Sequence, residues 1–126
     1  MLRLGLVGAL LLAAPLGAQN VGDVAPDFTL PAATKAGVTA APVKLSDLKG
    51  QTVVLAFFYK ARTSGCTHQM EAYRDRYASL FMGGKNVQVI AISVDPDTTL
   101  ASWAKEQDLP FTLASDAGGA VGKQYE

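Results

Sequence analysis

The chain has 126 residues but only one Cys, one His and one Trp, and its 11 Lys+Arg balance 11 Asp+Glu to a formal net charge of zero. A single Cys excludes an internal disulfide framework. One Cys and one His cannot complete a metal site, which usually takes roughly three or four protein ligands. With no net charge and no basic cluster, nothing builds a nucleic-acid groove. Repeats, low-complexity tracts and internal linkers are also absent, so the chain is at most one domain. The glycine pairs Gly83-Gly84 and Gly118-Gly119 fit no phosphate-binding pattern and read as turns. What the chain does have is a hydrophobic fraction of 49%, enough for a packed core.

Part of that fraction is one amino-terminal block. Arg3 supplies a short positive region, Leu4 to Ala14 is almost purely Leu, Val, Ala and Gly, Pro15 breaks the run, and Gly17 and Ala18 are small. This layout predicts a signal peptide over 1–18 and export, with the mature protein periplasmic or secreted. Cutting after Ala18 leaves Leu16 where a small side chain is preferred. The alternative is an uncleaved membrane anchor, but the run is shorter than the roughly 20 apolar residues that span a bilayer. No stable membrane association is expected after cleavage. No Cys closes the block to carry a lipid.

The mature chain, 19–126, opens on an extended stretch in which Phe28 and Leu30 alternate to one buried face between Pro26 and Pro31. Ala32 to Pro42 reads as a loop. Val43 and Leu45 suggest a short strand, Ser46 caps a helical turn through Leu48, and Gly50 ends it. VVLAFFY and VQVIAISV read as strands buried on both faces. Between them Met70, Tyr73, Tyr77 and Leu80 recur at helical spacing, with Glu71, Arg74 and Asp75 outside. Asp95-Pro96 predicts a helix start with Pro at the first helical position. Leu100, Trp103 and Ala104 form its apolar stripe, Pro110 stops it, and another helix begins over Ala117 to Tyr125. Strand, helix, strand, helix implies an α/β fold with parallel strands and helices on the sheet faces. In such sheets working residues collect beyond the carboxyl ends of the strands.

Cys66 stands there. A thiol acts as its thiolate. A helix amino terminus favours that anion through unpaired N–H groups and the positive end of the dipole. Ser64 or Gly65 is the expected cap, with Cys66 in the first turn. Thr63 brings a hydroxyl close enough to donate to the sulfur or to a bound oxygen, and Lys60 and Arg62 add positive charge. A buried, inert Cys is the competing reading of position alone. His68, the only His, is expected to face solvent, because residues two apart on a helix point to different sides. Tyr73, Tyr77 and Trp103 are expected in the core.

The stretch FFYKARTSGCTHQM resembles the active-site segment of peroxiredoxins, with Thr63 ahead of Cys66 after a hydrophobic strand. GDVAPDFTL, VKLSDLKGQTVVLAFFY, VIAISVDP and LPFTLASD fall in the order that family uses. TSGCT is similar to the bacterioferritin-comigratory branch. The resemblance implies a thioredoxin-like fold, incomplete at the carboxyl terminus. It implies a thiol-dependent peroxidase acting on hydrogen peroxide or organic hydroperoxides. Cys66 is then the peroxidatic nucleophile that becomes a sulfenic acid, and Thr63 its hydrogen-bonding partner. No metal or organic cofactor is implied, and the reductant is an external thiol, thioredoxin-like or of low molecular weight.

Three departures from the family pattern stand out. Tyr59 replaces a Pro that shields the sulfur, and Glu71 stands where many of the branch carry a resolving Cys. The family's active-site Arg has no match, being expected on a strand beyond Glu126. The expectation is therefore a partial domain that folds poorly and reacts slowly with peroxide. Other readings of the fold fit less well. A thiol-disulfide oxidoreductase needs a second Cys where Gln69 stands, and a copper-delivery protein needs one at Met70 and a distant His. A redox-inactive binding module finds its support in Tyr59.

Overall fold

The computed structural model describes residues 19–126; the expected signal peptide, 1–18, lies outside them. The strands are β1 (Thr29–Leu30), β2 (Ala32–Thr34), β3 (Gly37–Val38), β4 (Val43–Lys44), β5 (Thr52–Phe57), β6 (Val87–Ser93) and β7 (Thr112–Ser115). The helices are α1 (Ser64–Asp75), α2 (Tyr77–Leu80), α3 (Asp97–Glu106) and α4 (Ala120–Gln124), with 3-10 turns at Leu45–Leu48 and Met82–Gly84.

The main sheet runs in the order β3-β2-β7-β6-β5, while β1 and β4 pair separately. β5, β6 and β7 are parallel and β2 and β3 antiparallel, so the sheet is mixed. The α/β expectation holds because α1 and α3 are the crossovers that return the chain to make parallel neighbours.

Side chains of β6 alternate between two cores. Val89 and Ala91 pack with Met70, Leu100, Trp103 and Leu109 on one face, and Ile90 and Ile92 pack with Phe28, Leu30 and Val121 on the other. An apolar run with no polar alternation is what a strand covered on both faces requires. The same reading holds in part for β5, where Val54 packs against the first core and Val53 and Leu55 against the second. Among the described residues it lies at the sheet edge, Val53 to Leu55 are only half-buried, and Phe57 is exposed. A run of apolar residues does not reveal which side of the strand has a neighbour.

Four other expectations are corrected. The Ala32–Pro42 loop contains β2 and β3, a hairpin that joins the main sheet through β2 and β7. Small Ala32 and Ala33 carry little strand signal; pairing with Ala114 and Leu113 opposite makes them a strand, and Ala33 is buried in the core that includes Leu100 and Trp103 of α3. Pro96 caps α3 rather than opening it, with Asp97 the first helical residue. The last helix starts at Ala120 instead of Ala117, after positive-φ turns at Gly118 and Gly119. Leu80 is exposed, because the helix breaks at Arg76 and α2 loses the phase of α1. Met70, Tyr73 and Tyr77 do face the core, as does the Leu100, Trp103, Ala104 stripe. Among the described residues no helix is long and apolar enough to cross a membrane.

Candidate active site

The parallel register pairs Phe57 with Ile92, and the Phe58 N–H continues it to the Ile92 carbonyl at 2.9 Å. The carboxyl ends of β5 and β6 therefore lie side by side. The loop after β5, Lys60 to Thr63, rests against the turn after β6, Ser93 to Asp95. The Ala61 N–H donates to Asp95 Oδ2 at 2.8 Å.

Thr63 caps α1 with extended backbone, φ −80° and ψ 150°, and Cys66 follows in the first turn. This corrects the expected cap, Ser64 or Gly65, and leaves the Cys66 N–H among the donors without an intrahelical partner. Thr63 does not cap through its side chain. Its hydroxyl turns back and donates to the Lys60 carbonyl at 2.7 Å, while Thr67 donates to the Thr63 carbonyl at 2.7 Å. Cys66 is half-buried against Met70, Phe58 and their neighbours.

Burial pushes the Cys66 thiol up, and the charge of Asp95 acts in the same direction. The Thr63 side chain, then backbone N–H groups at Lys60 and Tyr59, act against them and prevail, so the thiol lies below its ordinary value of 9.0. The Thr63 hydroxyl has one proton, now committed to Lys60. Turning it toward sulfur is what stabilises a thiolate. Tyr59 is 79% exposed and, unlike a Pro, contributes its N–H to this balance.

Arg62 corrects a further expectation. Its guanidinium leaves the thiol and grips α3: Nε to Glu106 Oε2 at 3.1 Å, Nη2 to Glu106 Oε1 at 2.6 Å and Nη2 to Ser102 Oγ at 2.8 Å. Its backbone is left-handed, φ 63°. His68 faces solvent as expected, 81% exposed, with Glu71 Oε2 3.7 Å from its Nδ1. Among the described residues no group of three or more His, Cys, Asp or Glu side chains is placed to hold a metal.

A free thiol held at a helix start, behind a parallel strand and beside a Thr hydroxyl, is suited to nucleophilic attack on an electrophilic oxygen or sulfur. The pattern of the AhpC/TSA family matches residues 21–126. The chain belongs to the AhpC/TSA family. It is 41% identical over 109 residues to chloroplastic peroxiredoxin Q of Triticum aestivum, covering 86% of this chain and 47% of the relative. It is 38% identical over 106 residues to peroxiredoxin Bcp of Escherichia coli (strain K12), covering 84% and 64%. The structure of peroxidoxin BcpB from Mycobacterium tuberculosis superposes with a TM-score of 0.70 at 32% identity, over 82% of this chain and 64% of that one. The family's thioredoxin-like fold is thus the fold of the described residues, in part. The chain spans about half to two thirds of the length of these curated relatives, between 47% and 64%.

Within this family member, sequence reasoning brought Cys66 and Thr63 together and missed Asp95, Glu106 and Ser102. Asp95 was legible as a polar residue just past a buried strand, but Asp-Pro reads equally as a helix start. Glu106 and Ser102 lie on α3 and meet the loop only through the fold. Arg74, expected outside, donates from Nη1 to the Gln107 carbonyl at 2.7 Å and fastens α1 to the end of α3.

Proposed function

We propose that this protein is a thiol-dependent peroxidase of the peroxiredoxin type, with Cys66 as nucleophile and Thr63 as its hydrogen-bonding partner. The observation that carries the reading is the half-buried Cys66 in the first turn of α1, its thiol lowered despite burial by the Thr63 side chain and the loop backbone. The Cys66 thiolate attacks the terminal oxygen of hydrogen peroxide or an organic hydroperoxide. The S–O bond forms as the O–O bond breaks, and the departing oxygen takes a proton to leave as water or an alcohol. Sulfur is oxidised by two electrons to a sulfenic acid. An external thiol then condenses with the sulfenic acid, releasing water and forming a mixed disulfide. A second thiol attacks that disulfide and returns Cys66 to the reduced state. The family kinship favours this external reductant, thioredoxin-like or of low molecular weight.

The test is one equivalent of hydrogen peroxide followed by mass spectrometry with a sulfenic-acid trap. Trapped Cys66 and loss of peroxide consumption in Cys66→Ser are expected. Undiminished consumption by Cys66→Ser rejects the reading. Export rests on the 1–18 layout of Arg3, the Leu-rich run and Pro15 to Ala18. Amino-terminal sequencing of extracytoplasmic material, expected to begin near Gln19, tests it, and intact Met1 protein in the cytosol rejects it.

A further inference from the structure

Asp95 has no part in the reaction just described, yet it is held at the site with care. It is buried, 7% exposed, and its Oδ2 accepts from the Ala61 N–H at 2.8 Å and from Ser93 Oγ at 2.7 Å. Ser93 Oγ accepts in turn from the Asp95 N–H at 3.2 Å. Buried carboxylates are retained where donors offset their desolvation. Here the carboxylate stands beside a group that must itself become an anion, and its charge works against that step. A residue unfavourable in charge but doubly hydrogen-bonded serves through its geometry.

The loop it holds would not keep its shape alone. Arg62, next to Ala61, is in the left-handed region at φ 63°, which costs a residue with a Cβ about 1–2 kcal/mol. Thr63, next again, is the cap whose hydroxyl must reach sulfur. Releasing Ala61 lets Arg62 relax and carries Thr63 with it.

We propose that Asp95 is a positioning residue of the Cys66 site, holding the Lys60–Thr63 loop by the Ala61 N–H so that the Thr63 hydroxyl can serve the sulfur. The proposal rests on the peroxidase reading for its purpose, but its geometry concerns the thiol alone. Other charged or titratable groups near the thiol are differently placed. Lys60 and Tyr59 on the loop are exposed, Arg62 is committed to Glu106 of α3, and His68 on α1 faces solvent.

The experiment is a pH profile of Cys66 alkylation by iodoacetamide on the full chain, with Thr63→Val made in three backgrounds: wild type, Asp95→Asn and Asp95→Ala. An Asn oxygen can still accept from Ala61 and Ser93, whereas Ala cannot. Asp95→Asn is expected to move the profile to lower pH, making the thiol about three- to tenfold more reactive at pH 7. Asp95→Ala, also uncharged, is expected to lie at higher pH than Asp95→Asn. Thr63→Val is expected to shift the profile upward in the wild-type and Asn backgrounds but not in the Ala background, the coupling that a double-mutant cycle isolates. Coincident Ala and Asn profiles, or an equal Thr63→Val shift in all three backgrounds, overturn the proposal. Should Asp95→Ala not fold, Asp95→Ser, too short to reach Ala61, takes its place in the same comparison. Because alkylation needs no peroxide, absent peroxidase activity with this coupling intact rejects the functional reading and leaves the positioning role standing.

Discussion

Arg62 and Glu106 meet fork to fork, at 2.6 Å between Nη2 and Oε1 and 3.1 Å between Nε and Oε2, and so tie the loop ahead of Cys66 to the last turn of α3. Both side chains are about half exposed, 45% and 51%, so water screens the pair and its worth lies in direction more than in energy.

The backbone beneath that pair gives the first prediction. At φ 63° a β-branched residue is strained, whereas Gly, or Asn to a lesser degree, is tolerated. Thermal denaturation should rank Arg62→Gly and Arg62→Asn above Arg62→Val by about 1–2 kcal/mol. Equal stability of all three variants contradicts the left-handed loop.

Thr63 is the second. Removing its hydroxyl takes away the foremost of the influences that lower the thiol. Thr63→Val should move the alkylation profile of Cys66 upward and slow alkylation at pH 7 roughly tenfold, as expected for a lost hydrogen bond to a charged group. Thr63→Ser, which keeps the hydroxyl, should stay near wild type. A Val variant indistinguishable from Ser removes the hydroxyl from the account.

Trp103 supplies the third. It is fully buried on α3, with its ring centroid 5.4 Å from that of Phe58, at the end of the site-bearing strand segment. Trp103→Ala should cost about 3–5 kcal/mol in denaturant unfolding, through lost burial and a cavity. Its Nε1 has no hydrogen-bond partner among the described residues. Trp103→Phe therefore loses packing but no hydrogen bond, and should cost roughly 1–2 kcal/mol. A Phe variant as damaged as the Ala variant points to a hydrogen bond at Nε1 after all.

Asp27 gives the fourth, in acid. Its Oδ1 accepts from the Ser46 N–H at 2.9 Å and the Phe28 N–H at 3.0 Å, pinning the lead-in segment to the 3-10 turn. Hydrogen bonding at Ser46 comes first among the causes that hold its carboxyl below 3.8. A group depressed on folding stabilises fully above its unfolded value and loses that contribution as pH falls through the folded one. Wild type should therefore exceed Asp27→Asn in stability at neutral pH, and the gap should close below about pH 3.8. A gap unchanged between pH 6 and about pH 2 argues against the ionised carboxylate as its source.

Local chemistry was legible from the residues alone. VQVIAISV had to be a strand covered on both faces, since no polar alternation offers it a wet side, and β6 is that strand. Leu100, Trp103 and Ala104 had to share a helix face, and Cys66 had to stand at a helix start behind a strand, with Thr63 before it. Each follows from periodicity or chain order, which act over a few residues. The fold alone decided what depends on neighbours distant in sequence. VVLAFFY became an edge because β6 flanks it on one side only among the described residues. Ala32 and Ala33 became a strand because Ala114 and Leu113 lay opposite. Arg62 turned from the thiol because Glu106 offered a matching fork. Asp95 reached Ala61 because the parallel register of β5 and β6 set their carboxyl ends side by side. A hydrogen bond across that gap is written in no local pattern, since it exists only once two strands have chosen their register.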